Sequence, residues 1–179
     1  MSAVLHQPRL TVPISDRDHV LSAPGAELTL LEYGDYECPF CGAAAASVQQ
    51  LMRIMGDEVR FAFRHFPLTQ IHPHAQLAAE AAEAAGQQGR FWEMHELLFS
   101  HQDRLAPSDL IGHASTLRLD LRRFARDLET HAHAPRVSED FLSGVRSGVN
   151  GTPTFFTNGV RHNGGYDVES LVEALRTTA

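Results

Sequence analysis

The chain has 179 residues, 43% of them apolar and 21% charged, which suits one compact domain or one domain carrying a large insertion. A formal charge of -7 sets the summed field against phosphate backbones and anionic membranes, so nucleic acid is not an expected partner. All 15 basic residues are arginine, which excludes lysine Schiff-base chemistry and any mechanism built on a lysine base.

Residues 1–18 contain Pro8 and Pro13 and show no period, so they read as an arm laid over the surface. They offer no positively charged start followed by an apolar run, as a secretory leader has. No stretch reaches the roughly 18 to 20 apolar residues of a membrane helix. The expected location is therefore the cytoplasm, or the periplasm or extracellular space for a chain trimmed of its leader. His19–Leu21 and Glu27–Tyr33 read as strands joined by a turn through Pro24 and Gly25. ELTLLEY is nearly continuously apolar, as a central sheet strand is. Cys38-Pro39-Phe40-Cys41 then opens a strong helix with Val48, Leu51, Met52 and Met55 at helical spacing. Val59–Phe66 is the next strand, closed by Pro67, and the crossover makes it parallel to the strand before the cysteines.

From His74 to about Arg146 the pattern is helical throughout. Helices are expected over His74–Ala85, Arg90–Ser100 and Ser108–Thr116, then after Asp120 with Leu121, Phe124 and Leu128, and after Pro135 with Val137, Phe141 and Val145. Strand returns at Gly151–Thr157, Asn158-Gly159 signals a hairpin, and Asp167 starts a last helix carrying Leu171 and Leu175. The expected fold class is α/β. The boundaries are an arm at 1–18, a core at 19–71 and 149–179, and an inserted helical subdomain at 72–148.

Two cysteines are too few to staple a secreted scaffold, so their spacing carries the information. At the first turn of a helix, free backbone N–H groups and the helix dipole stabilise a thiolate. Cys38 takes that position, Cys41 lies one turn deeper within disulfide reach, and Pro39 fills the first helical position where its missing N–H costs nothing. Cys38 is the expected attacking thiol and Cys41 the resolving one.

Cys38-Pro39-Phe40-Cys41 after an apolar strand, with Thr152-Pro153 more than a hundred residues later at the head of a strand, resembles the DsbA-like branch of the thioredoxin superfamily. Runs such as FRHFPL and RFWEMHELLF strengthen the resemblance, which covers residues 19–177. It implies a thioredoxin fold, with a mixed central sheet flanked by helices and a helical insertion, and a protein disulfide oxidoreductase that needs no cofactor beyond the Cys38–Cys41 disulfide. It also implies that Pro153 is cis and faces the disulfide, that the Thr152 backbone meets extended substrate beside Pro39 and Phe40, and that Glu32 is a buried acid behind the cysteines. A strand-end Glu32 reaching water is the alternative. Phe40 departs from the histidine of the strongly oxidising members: a phenyl ring donates nothing to the Cys38 sulfur, so a less oxidising couple is expected.

The expected substrates are protein or peptide thiols and disulfides. With two cysteines the chain has no second thiol pair, so glutathione or another protein must act as separate redox partner. Topology brings Arg64 and His65 to the edge of the sheet that holds the cysteines, but an ordinary surface pair is the expectation. His72-Pro-His74 and His131-Ala-His133 do not combine with the cysteines at zinc spacing, so no metal is expected and surface or capping histidines are. Two other classes are kept open: a metal- or cluster-binding module using both thiolates, and a non-catalytic peptide-binding domain.

Overall fold

The computed structural model describes residues 8–178. Its strands are β1 (His19–Leu21), β2 (Leu28–Gly34), β3 (Val59–His65), β4 (Thr154–Thr157) and β5 (Val160–Arg161). They form one sheet in the order β1-β3-β2-β4-β5, in which β2 and β3 are parallel and the other pairs antiparallel. The helices are α1 (Pro39–Met55), α2 (Ala75–Gly86), α3 (Phe91–Ser100), α4 (Pro107–Thr116), α5 (Leu121–Glu129), α6 (Ala134–Arg146) and α7 (Val168–Thr177).

Central β2 is covered on both faces, which is why its sequence does not alternate between apolar and polar. On one face Leu30, Phe61 and Phe63 pack with Val48 and Leu51 of α1, Leu171 and Leu175 of α7, and the alanine-rich α2. This cluster runs on without a break to Leu110 of α4 and Phe124 of α5. On the other face Leu31, Tyr33, Ala62 and Phe156 meet Phe66 and Val149, with Phe141 of α6 and Leu10 and Ile14 packed against them. The helical segment thus supplies packing to both sides of the sheet.

Several local expectations hold. Asp120 and Asp167 cap their helices by accepting from the N–H of Arg123 and Ser170, each at 3.0 Å. Asn158 (φ 49°) and Gly159 (φ 78°) make the hairpin turn, with both residues at positive φ. Two residues of the expected apolar stripes face water: Leu121, 38% exposed, and Val145, 49% exposed. Leu121 is the first residue of α5, and Val145 lies eight residues after Val137, by which point the helix has rotated about 80° from the buried stripe. Gly144 takes its place, and an added Cβ there would come within 2.8 Å of the Phe66 ring.

Of the expected arm, residues 1–7 lie outside the described residues. Residues 8–18 do more than cover the surface. Leu10 N–H donates to Gly159 O at 2.9 Å and Arg161 N–H to Pro8 O at 2.9 Å, so the arm runs along the β5 edge. Arg64 ties down the rest: it donates to both carboxylate oxygens of Asp18, at 2.7 and 2.9 Å, and to the carbonyls of Val12 and Pro13. This corrects the surface expectation for Arg64 and His65, which are only 2% and 1% exposed. An arginine whose donors all meet fixed oxygens can be buried, and all of those oxygens except the Tyr33 hydroxyl come from the arm, distant in sequence.

Candidate active site

β2 ends at Gly34 and the chain turns through Asp35, Tyr36 and Glu37 into Cys38, the N-cap of α1, with Pro39 in the first turn. Cys38 has extended backbone (ψ 120°), and both cysteines are reduced. Across from them the Thr152-Pro153 peptide bond is cis, and the Cys38 thiol lies 3.5 Å from the Thr152 carbonyl oxygen. The structure therefore brings Cys38, Cys41, Thr152 and Pro153 together. Pro39 is exposed beside them, and Phe40 projects into solvent at 61% exposure.

The two sulfurs differ sharply. Cys41 is fully buried and receives the Asp35 N–H at 3.4 Å. Burial, the neighbouring Cys38 and the Glu32 carboxyl hold its thiol far above the ordinary range. The Cys38 thiol is lowered to about 5, first by a hydrogen bond from the Cys41 thiol, then by the Thr152 side chain and the N–H groups of Cys41 and Phe40, against the opposing effect of burial. The Thr152 hydroxyl is buried without a partner among the described residues, so its proton is free to turn toward a thiolate. Phe40 contributes only its backbone, as its phenyl side chain requires.

Glu32 is 1% exposed, which settles its burial against a strand end reaching water. It shares the Leu30 face of β2 and lines a cavity of about 440 Å³ between α1 and α3, together with Val48, Met52, Phe61, Trp92 and Phe99. Its Oε1 has no hydrogen-bond partner among the described residues. Desolvation, and then the Cys38 charge, push the carboxyl up to about 8. Nearby His95 is lowered to about 3 by burial, so it stays neutral, and it is hydrogen-bonded through Nδ1 to the Tyr36 hydroxyl at 3.0 Å.

Other functional neighbours were not legible in sequence. Both histidines of His72-Pro-His74 grip the turn before Cys38. His72 Nδ1 donates to Asp35 Oδ2 at 2.7 Å, and His74 Nδ1 donates to Glu37 Oε1 at 2.8 Å. Asp35 also accepts from the N–H groups of Glu37 and Leu68, at 2.8 and 2.9 Å. His65, Glu83 and Asp140 converge within 4.8 Å of one another, all buried. Their polar atoms are largely turned on each other and on cations: His65 Nε2 donates to Glu83 at 2.8 Å, His19 Nε2 to the same oxygen at 2.9 Å, and Arg136 to Asp140. That network joins α2 and α6 to β1 and β3.

A parallel strand-helix-strand unit with a reduced Cys-X-X-Cys at the helix start and a cis-proline beside it defines a thioredoxin-fold redox site. A model described as thioredoxin matches residues 15–177, and the chain belongs to that family. A thioredoxin-like oxidoreductase from Silicibacter pomeroyi has a similar structure, with TM-score 0.81, 28% identity, and coverage of 91% of this chain and 92% of that one. BdbD from Bacillus subtilis shares the fold at TM-score 0.83 and 22% identity, over 96% of this chain and 95% of its own. The alpha-DsbA1 of Wolbachia pipientis does so at TM-score 0.77 and 20% identity, over 94% of this chain and 93% of its own.

In sequence, Na(+)/H(+) antiporter NhaA 1 of Salinispora arenicola is 52% identical over 167 residues, which are 93% of this chain and 26% of that protein. Na(+)/H(+) antiporter NhaA 1 of Mycolicibacterium gilvum is 45% identical over 170 residues, 93% of this chain and 28% of that protein. The chain thus spans about a quarter of the length of these relatives. This overturns the cytoplasmic expectation, which took a missing leader as evidence of compartment. The matching domain occurs within much longer chains named as antiporters, which are membrane proteins. Among the described residues no helix is long and apolar enough to cross a membrane.

Proposed function

We propose that this domain exchanges disulfides with protein thiols through a mixed disulfide at Cys38. The observation that carries the reading is the asymmetry of the pair: an ionisable Cys38 at the start of α1, beside the Thr152 carbonyl, and a fully buried Cys41 that keeps its proton. The Cys38 thiolate attacks a substrate disulfide, forming one sulfur–sulfur bond as the substrate's breaks and releasing a substrate thiolate. Cys41 then loses its proton to the Glu32 carboxylate and attacks Cys38. The second substrate thiolate leaves, and the domain is left oxidised. The reverse sequence donates the disulfide.

Glu32 serves as the proton relay because it is ionisable near neutral pH and its cavity gives the proton a way out. The Thr152 backbone and the exposed faces of Pro39 and Phe40 receive extended substrate. The Cys38–Cys41 pair is itself the redox group in these steps, and a separate thiol partner restores the starting state.

Cys38→Ser is expected to abolish catalysed reduction of a protein disulfide, and Cys41→Ser to accumulate a stable mixed disulfide at Cys38. Full turnover in Cys38→Ser would overturn the reading. Binding of zinc or an iron-sulfur cluster by both thiolates, with no exchange activity, would replace it with the metal-binding alternative.

A further inference from the structure

Gln102 stands in the turn after α3, in the helical segment, yet its side chain reaches into the turn that carries the nucleophile. Its Nε2 donates both protons, one to Tyr36 O and one to Cys38 O, each at 2.8 Å. These acceptors fix the orientation of the amide, since its oxygen cannot face two carbonyls. Gly42 makes room for it: a Cβ at that position would come within 2.3 Å of Gln102 Oε1. The Phe99 ring lies 4.8 Å from the Tyr36 ring, so α3 packs on the same turn and holds the base of Gln102 in place.

We infer that Gln102 is a positioning residue of the redox site, holding the Tyr36 and Cys38 carbonyls so that Cys38 enters α1 with its sulfur against Thr152. The inference rests on the redox reading of Cys38. Two effects follow from the geometry. The Cys38 carbonyl also accepts the Gly42 N–H at 3.1 Å in the first turn of α1, so an anchored carbonyl fixes the extended Cys38 backbone. The positive end of the amide dipole also covers two carbonyl oxygens next to the sulfur, which lowers the negative potential that a thiolate there experiences.

Gln102→Glu keeps the shape and reverses the electrostatics, placing a carboxylate oxygen against both carbonyls. Gln102→Met keeps the length and removes both donors. The test is the rate of Cys38 alkylation by iodoacetamide in the reduced protein from pH 4 to 9, mapped by mass spectrometry, with thermal denaturation alongside. Gln102→Met is expected to react about twofold more slowly at pH 5 and Gln102→Glu about fivefold more slowly, their inflections displaced upward by about half a pH unit and about one pH unit. Variants that denature earlier but keep the wild-type profile would reduce Gln102 to a structural contact and overturn the inference. Should Gln102→Glu fail to fold, the Gln102→Met profile decides alone: a rate within 1.5-fold of wild type, roughly the scatter of such measurements, overturns it. A wild-type Cys38 that alkylates like an ordinary thiol is a different result, one that removes the proposed function itself.

Discussion

Replacing Glu32 by glutamine makes the cost of the buried acid measurable. In the unfolded chain this carboxyl ionises near its ordinary 4.5, whereas in the fold it holds its proton up to about 8. Below pH 4.5 both states are protonated and no penalty exists. From there to pH 8 the unfolded chain gains about 1.4 kcal/mol for each pH unit, because it releases a proton that the folded protein retains. The penalty is about 3 kcal/mol at pH 7 and levels off at about 5 kcal/mol above pH 8. Glutamine matches the protonated acid in size and polarity and does not titrate. Glu32→Gln is therefore expected to match wild type at pH 4 and to exceed it by about 3 kcal/mol at pH 7, read as the displacement of the urea midpoint of the reduced proteins. The gain should shrink in the oxidised proteins, since the Cys38 charge that adds to the rise is gone. A stability difference that stays constant between pH 4 and 9 would refute the placement of an unpaired acid behind the cysteines.

Cys38 alkylation should be half-maximal near pH 5 and flat above pH 7, and a midpoint in the ordinary thiol range of 8 to 9 would contradict the hydrogen bonds drawn to its sulfur. A thiol at about 5 falls between the roughly 3.5 of DsbA and the roughly 7 of thioredoxin, so glutathione equilibration should give a potential of about -180 mV, and about -120 mV would refute it. His72→Ala should cost about 1.5 to 3 kcal/mol and prolong the Cys38 mixed disulfide, because the Asp35 N–H that meets Cys41 loses an anchor. His72→Asn, which can present an amide N–H to Asp35, should restore the resolution rate, and failure of both effects would remove His72 from the site. Asp18→Ala leaves the Arg64 charge buried without its carboxylate and should cost about 3 to 5 kcal/mol in urea denaturation. Asp18 lies below the ordinary carboxylate range in spite of burial because Arg64 bonds to it, so its stabilisation is present at neutral pH and lost on acidification.

What could be read from sequence was what local chemistry encodes. Cys38 through Cys41 at a helix start, and Thr152-Pro153 at a strand head, are short patterns whose physical meaning survives without neighbours. The burial of Glu32 followed from the resemblance and not from the strand itself, whose end could also reach water. Arg64, His65, His72 and Gln102 were misread or passed over because their partners lie far along the chain. Arg64 finds oxygens on the arm, 46 to 52 positions away, and Gln102 finds carbonyls 64 and 66 positions away. No periodicity marks such pairings. A histidine that grips a buried aspartate has the same sequence signature as one in water.

The buried charges separate by how they are satisfied. Arg64 is enclosed by Asp18 and arm carbonyls, Glu83 by His19 and His65, Asp140 by Arg136, and Glu80 by Gln76 and His131. In each case burial is offset by partners. Glu32 differs, with a carboxylate oxygen that no described residue meets. Its neighbour on the same strand, Tyr33, directs its hydroxyl to Ser143 and Arg64, so β2 does not generally strand its polar groups. An uncompensated acid opposes folding at every pH above its unfolded value. A chain that satisfies its other buried carboxyls could satisfy this one as well, or replace it. That it stands unpaired beside a thiol that must lose its proton is the strongest physical argument that Glu32 belongs to the chemistry and not to the scaffold.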